Sequence, residues 1–426
     1  MVCYYYMTDN KHNNSITERV DKVFEIGEIP PVGVVPKKMY AWTIRKERLG
    51  TPLEAFKTEL VDVPRPRKGE MIICNMAAGI NYNGIWAASG KPKSVFADQG
   101  KYDAPCDFHI CGSETSSIVY EVGEGVDMFE VGDEVVAVGI QFDPDCPVIK
   151  SGVEEVFSPT FRIWGYEANW GGFAQFSKVQ QHQCYKKPKK LSWEEAASSV
   201  ATGGTAYRML RRWGEHAVNE GDVVLIWGGY GGLGSMAIQL VKYYGGIPVA
   251  VVSDDERMQF CMELGAKGCI NRKKYSHWGP LENYTDPAEY KKWLKEALKF
   301  RRELWKIVGE KKNPRIVLEH PGESTLPTSI FVCDKGGMVC ICGGTSGYVG
   351  TLDLRYLWLG QKRLQGSHAG TRNDASAFLD VLEAAEIKPM LSNVYRWEDL
   401  ALAHQNLSDN KHSGGNLAVL IGASKS

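Results

Sequence analysis

The stretch from Gly221 to Ser253 does most to limit what this chain can fold into. An apolar run, Val223 to Trp227, leads straight into Gly228-Gly229-Tyr230-Gly231-Gly232-Leu233-Gly234, five glycines in seven positions. A helical pattern follows, with Leu233, Ala237, Leu240 and Val241 on one face, and a second apolar run ends at Ser253. Strand, tight turn, helix and strand within roughly 30 residues make a βαβ unit. Glycines in such a turn let the backbone approach a pyrophosphate at the helix N-terminus, where free N–H groups and the helix dipole favour negative charge. Gly228, Gly231, Gly232, Leu233 and Gly234 are therefore the candidate dinucleotide-binding residues. A turn that only packs a strand on a helix does not need so many glycines.

A chain of 426 residues exceeds what one core usually serves, so two domains are expected. Residues 1–37 are polar, then proline-rich, and read as an N-terminal arm. Residues 38–191 carry short alternating runs broken by glycine, such as Asp133-Glu-Val-Val-Ala-Val-Gly139, the pattern of a mostly β domain. Ser192-Trp-Glu-Glu195 is a capping box that opens an alanine-rich helix and marks the border. From 192 to 373 strands and helices alternate, which predicts a doubly wound parallel sheet. A charged insert at 273–312 contains a helix with Trp293, Ala297, Phe300 and Leu304 on one face, and that face is expected to pack on a partner subunit. The tail, 374–426, is expected to return to the first domain.

Charge excludes some partners. With 50 basic and 51 acidic residues, net −1, there is no electrostatic case for nucleic acid or an anionic membrane. No run of ~18 apolar residues could span a bilayer, and the opening Met1-Val-Cys-Tyr-Tyr-Tyr-Met7 lacks the features of a secretory signal. The basic run Lys186–Lys190 reads as a solvated linker. Eleven cysteines are scattered without a C-x₂-C pair, which suits reduced thiols in the cytoplasm. Cys106 and Cys111 bracket His109, but no further ligand cluster lies near them, so no metal is expected.

A β domain, a GxxGGxG turn and a return to the first domain resemble the medium-chain dehydrogenase/reductase superfamily. The resemblance implies a GroES-like, mostly β catalytic domain beside a Rossmann cofactor domain. Zinc-dependent members carry Gly-His-Glu where this chain has Gly112-Ser113-Glu114, which implies the zinc-free branch. The strings Asn81-Tyr-Asn-Gly-Ile-Trp86, Arg162-Ile-Trp-Gly-Tyr-Glu-Ala-Asn-Trp-Gly-Gly172, Glu319-His-Pro-Gly322, Thr345-Ser-Gly-Tyr348, Arg355-Tyr-Leu-Trp358 and Gly366-Ser-His368 narrow it further. They are similar to the crotonyl-CoA carboxylase/reductase family from about residue 40 to 422. That family passes hydride from NADPH to the β-carbon of a 2-enoyl-CoA; the resulting enolate attacks CO2 or is protonated. The resemblance also implies a homotetramer built from dimers through the nucleotide domains.

By position, the family's CO2-holding residues fall on Asn83 or, as the second choice, Asn81, on Tyr166 with Glu167, and on His368. An amide and an imidazole suit that task, because negative charge grows on the CO2 oxygens as the carboxylate forms. The chain departs from the family in three places: Tyr166 replaces Phe, Ala369-Gly370-Thr371 follow His368, and Gly203-Gly204 replace an Asn-Ser pair. Each change loosens or wets the pocket. Ser253 at the strand end and Arg257 one turn on fit the 2′-phosphate of NADPH, whereas Asp254 and Asp255 argue for NADH unless they only cap the next helix. The resemblance assigns the nucleotide end of CoA to Arg355 and Tyr356. Each candidate also has a plainer structural role: a turn cap for the asparagines, a loop carboxylate for Glu167, a strand-end residue for His368. A small-enone or quinone reductase, and a dinucleotide-binding protein without catalysis, remain the alternatives.

Overall fold

The computed structural model describes residues 19–424 apart from 99, 102, 282, 283 and 386; the first half of the expected arm lies outside the described residues. The βαβ unit forms as its pattern predicts. The strand Val223–Trp227 is wholly buried and lies between two parallel neighbours, which explains its unbroken apolar sequence. The helix Gly232–Tyr243 buries Met236, Ala237, Leu240 and Val241. Six parallel strands form this sheet, in the order Gly268–Asn271, Ile247–Val252, Val223–Trp227, Ile316–Glu319, Met338–Ile341, Arg363–Gly366. The winding direction reverses between Val223–Trp227 and Ile316–Glu319, and a crevice opens at the C-terminal ends of strands at such a switch point.

The second body is antiparallel. Its long strand Glu70–Ile80 pairs with Glu114–Val122, Phe176–Gln180 and Asn416–Leu420, so the chain's tail does return to this sheet. Between the two sheets runs the helix Trp193–Arg211. Ser192 accepts from the Glu195 amide at 3.2 Å while the Glu195 carboxylate accepts from the Ser192 amide at 3.0 Å, the reciprocal cap expected from the sequence. This helix packs on strands of the antiparallel sheet and on the helix after the glycine turn.

Two expectations need correction. The insert helix, Pro287–Val308, does present one apolar face, but Ala297, Phe300 and Leu304 are buried against the parallel sheet of their own chain, and Phe300 stacks on Trp227 at 5.8 Å. That face is therefore spent internally and not on a partner subunit. In the Lys186–Lys190 run, Lys186, Lys189 and Lys190 are exposed as a solvated linker would be, but the Lys187 side chain is only 7% exposed: its ammonium donates to the Leu191 carbonyl at 2.7 Å and lies over the Trp193 ring. A long aliphatic stem covers apolar surface while the head finds a local acceptor.

Candidate active site

A cleft of about 460 Å³ lies where the parallel sheet faces the antiparallel body. Its floor is the glycine turn, with Gly228, Gly231, Gly232, Leu233 and Gly234 all on the lining. Among the described residues no side chain caps the helix at Gly231, which leaves its first amides available to an anion. Two glycines are required by shape. Gly228 has φ +62° and sits against the His320 ring, and a Cβ on Gly234 would lie 2.7 Å from the Gly229 Cα. The opposite wall is mostly apolar and comes from the β body: Ile80, Tyr82, Trp86 and Leu417, joined by Asn81 and Asn416.

One end of the cleft is basic. Ser253, Arg257 and Arg272 all line it. Arg257 donates to the side-chain and main-chain oxygens of Asn410, each at 3.0 Å, and lies 4.7 Å from the centre of the Tyr230 ring. Asp254, which could have favoured NADH, caps no helix. Its carboxylate accepts from Ser253 at 2.9 Å and from Lys273 at 2.5 Å, and these bonds hold it below its usual pKa. The acid is thereby engaged, and the cations beside it outnumber it. A dinucleotide with an extra phosphate fits this donor set.

Burial tunes three groups at the cleft and behind it. His320, on the lining, is pushed down to about 4, so its ring is neutral at pH 7. Glu319 behind it is pushed up to about 7, while accepting from Thr325 at 2.7 Å, from the Gly322 amide at 3.1 Å and from Ser329. Glu114 is likewise pushed up to about 7; it accepts from Asn81 at 2.6 Å and from the Ala201 amide at 2.9 Å.

The remaining residues singled out by sequence lie at other places. Asn83 turns from the cleft and donates to Ser113 at 2.5 Å. Tyr166 is nearly buried, with its hydroxyl donating to the Lys93 carbonyl at 3.0 Å, and Glu167 accepts from the Ile163 amide at 2.8 Å. Glu167 faces a much smaller cavity shared with His109 and Cys106. His368 is exposed, its ring edge-on to Phe161 at 5.6 Å. Arg355 and Tyr356 lie away from the cleft lining. There Tyr356 and Tyr290 share a hydrogen bond of 2.9 Å, and Arg355 and Tyr290 both bond to Asp353. Sequence reasoning missed Arg272, Asn410 and Glu114. Arg272 was findable as the first cation after the third strand; Asn410 was not, because it arrives from far along the chain.

Two family models match, the alcohol dehydrogenase GroES-like domain over residues 67–189 and the zinc-binding dehydrogenase over 232–384. Fold and cleft together define a two-domain dehydrogenase/reductase of the medium-chain type. A crotonyl-CoA carboxylase/reductase from Cereibacter sphaeroides is 47% identical over 401 residues, covering 94% of this chain and 92% of that protein. The crotonyl-CoA carboxylase/reductase AntE, solved in complex with NADP, superposes with a TM-score of 0.90 at 51% identity, covering 95% of this chain and 99% of that one. The 2-octenoyl-CoA carboxylase reductase CinF, in complex with NADP and 2-octenoyl-CoA, gives 0.84 at 32% identity, covering 92% and 89%. The chain belongs to the crotonyl-CoA carboxylase/reductase family. The zinc in the second model's description does not suit the residues present: among the described residues no three His, Cys, Asp or Glu side chains converge as ligands, and Ser113 stands in the Gly-His-Glu position.

Proposed function

We propose that this protein reduces 2-enoyl-CoA thioesters such as crotonyl-CoA with NADPH, the α-carbon enolate being either protonated or carboxylated by CO2. The observation that carries this reading is one cleft that joins a glycine turn, a basic end and a largely apolar wall bearing the Asn81 amide. NADPH, when bound, supplies the hydride for the β-carbon. The chain's own residues do the rest. The turn amides hold the pyrophosphate, and Ser253, Arg257 and Arg272 hold the 2′-phosphate. Tyr82 and Trp86, with ring centres 5.4 Å apart, form an apolar wall that keeps bulk water from the enolate.

Of the two asparagines, this reading takes Asn81 as the CO2 contact; its position on the cleft lining supports that choice, as does the bond that ties Asn83 to Ser113. Tyr166, Glu167 and His368 stand in this reading as the family's further CO2-site positions, and Arg355 with Tyr356 as the contact for the CoA nucleotide. A guanidinium beside two tyrosines suits a phosphate next to a purine. The reading includes a dimer of dimers. Among the described residues the edge strand Arg363–Gly366 has no partner on its outer side, and Trp358, Leu359 and Leu364 beside or on it are exposed. The setting is the cytoplasm, in keeping with ten free cysteines among the described residues.

NADPH oxidation measured with crotonyl-CoA, with CoA-free enones and with quinones tests the substrate class. Turnover confined to the CoA thioester supports the reading. Faster turnover of CoA-free enones or quinones would make the protein a small-enone reductase, and binding of NADPH without any turnover would make it a non-catalytic nucleotide-binding protein.

A further inference from the structure

Glu114 is 2% exposed and forms no ion pair among the described residues. Its two donors, the Asn81 side chain and the Ala201 main chain, are both neutral amides. Space for it is reserved. A Cβ on Gly79 would collide with the Glu114 carboxyl and lie 2.5 Å from the Ala197 carbonyl. A buried carboxyl without a cation is costly to keep, and this one is bonded to the Asn81 amide on the cleft wall.

We propose that Glu114 is a positioning residue whose hydrogen bond decides which end of the Asn81 amide faces the reacting α-carbon. This rests on the reading above that Asn81 meets CO2. An ionised carboxylate only accepts. It must therefore take the Asn81 NH₂ group, and the amide oxygen is left toward the cleft. A protonated Glu114 donates instead. It then holds the amide oxygen, and the NH₂ group turns toward CO2, whose oxygens gain negative charge as the bond forms. The Ala201 amide bonds the other carboxyl oxygen at 2.9 Å, an acceptor that either protonation state can offer. Burial places the switch between these states at about 7.

The groups facing Glu114 are few. From the strand Glu70–Ile80 and the residue after it come Gly79 and Asn81, and from the helix Trp193–Arg211 come Ala197 and Ala201. None titrates, and no charged group contributes to its shift. The acid form is therefore the carboxylating one, and the base form leaves the enolate to be protonated.

The test compares wild type with Glu114→Gln, which keeps size and hydrogen bonds but does not titrate. The ratio of carboxylated to reduced product is measured at constant dissolved CO2 from about pH 6 to about pH 8.5. Wild type is expected to lose roughly tenfold in this ratio across one step near pH 7, a change of about 1.4 kcal/mol. Glu114→Gln is expected to show no step, with an unchanged KM for NADPH. An identical step in the variant overturns the proposal.

Neutron diffraction of wild-type crystals at the two pH extremes gives a readout that needs neither carboxylation nor the variant. The Asn81 deuterons are expected toward Glu114 at high pH and away from it at low pH. The same orientation at both overturns the proposal. Wild type that shows the flip but forms no carboxylated product would instead remove the CO2 reading and leave the positioning role standing.

Discussion

Replacing Arg257 with alanine separates the two nicotinamide cofactors. In the structure the guanidinium lines the cleft, braced by two 3.0 Å bonds to Asn410, by the Tyr230 ring and by Asp254 at 3.5 Å. That bracing aims it, so little side-chain entropy is lost when a phosphate arrives. A charge-assisted contact of this kind contributes about 1.5–3 kcal/mol, which is roughly 10- to 150-fold in affinity. Arg272 remains in the cleft, so the loss should fall toward the lower end. NADH has no 2′-phosphate and should weaken by less than about threefold. The bonds to Asn410 are exposed, so folding stability should change by under about 1 kcal/mol. Fluorescence titration of both cofactors, in wild type and variant, measures the difference. Equal weakening of NADPH and NADH would mean that Arg257 acts only by shaping the cleft through Asn410, and the phosphate assignment would fall.

A methyl group at Gly234 meets the turn's own backbone, whereas one at Gly231 finds only the Gly228 oxygen at 3.6 Å. Gly234→Ala should thus lower thermal stability, and Gly231→Ala should fold normally but bind NADPH at least about tenfold more weakly; unaltered NADPH affinity in Gly231→Ala would refute the turn as the pyrophosphate site. Tyr166→Phe should cost about 1 kcal/mol through the unsatisfied Lys93 carbonyl and leave the product ratio unchanged, because the hydroxyl is already committed away from the cleft; a changed ratio by mass spectrometry would place it on the CO2 path. Acid should destabilise the fold. His109, His277, His320 and His404 are pushed down to about 4 by burial, and His182 to about 3, so below about pH 6.5 the unfolded chain takes up protons that the folded one refuses. Each can remove up to about 1.4 kcal/mol per pH unit between roughly 6.5 and 4. Glu114 and Glu319, raised to about 7, work the other way, contributing below about 4.3 and losing that contribution as pH rises through 7. Five imidazoles outweigh two carboxyls, so urea unfolding at about pH 5 should show lower stability than at about pH 7; the reverse order would refute the balance.

What could be read from sequence followed the range of the forces involved. The glycine turn, the strands beside it and the Ser192–Glu195 cap depend on neighbours in the chain, and all were legible there. Alternation of strands and helices implied a parallel, doubly wound sheet, but the order of its strands is set by long-range pairing and was not legible. The insert helix was legible as a helix with one apolar face, but nothing local tells whether such a face meets its own sheet or another subunit. Direction of side chains was least legible. Asn81 and Asn83 lie two residues apart, yet one lines the cleft and the other bonds Ser113, because the helix Tyr82–Ser89 begins between them and turns the second away. Asn410 and Arg257 meet only because the tail folds back across the cofactor domain. Glu114 could be seen in Gly112-Ser113-Glu114, but its role as a buried acceptor for Asn81 depends on a strand pairing that no short pattern reports.

The fate of the α-carbon after hydride arrives reports on both the reduction and the carboxylation. Purified protein, NADPH and crotonyl-CoA should be incubated with ¹³C-labelled bicarbonate and carbonic anhydrase, and the CoA products resolved by mass spectrometry. The expected result is NADPH-dependent loss of crotonyl-CoA with label in a carboxylated acyl-CoA, and butyryl-CoA in its place when CO2 is removed. No consumption of the thioester under either condition would contradict the assignment of 2-enoyl-CoA reduction to this protein.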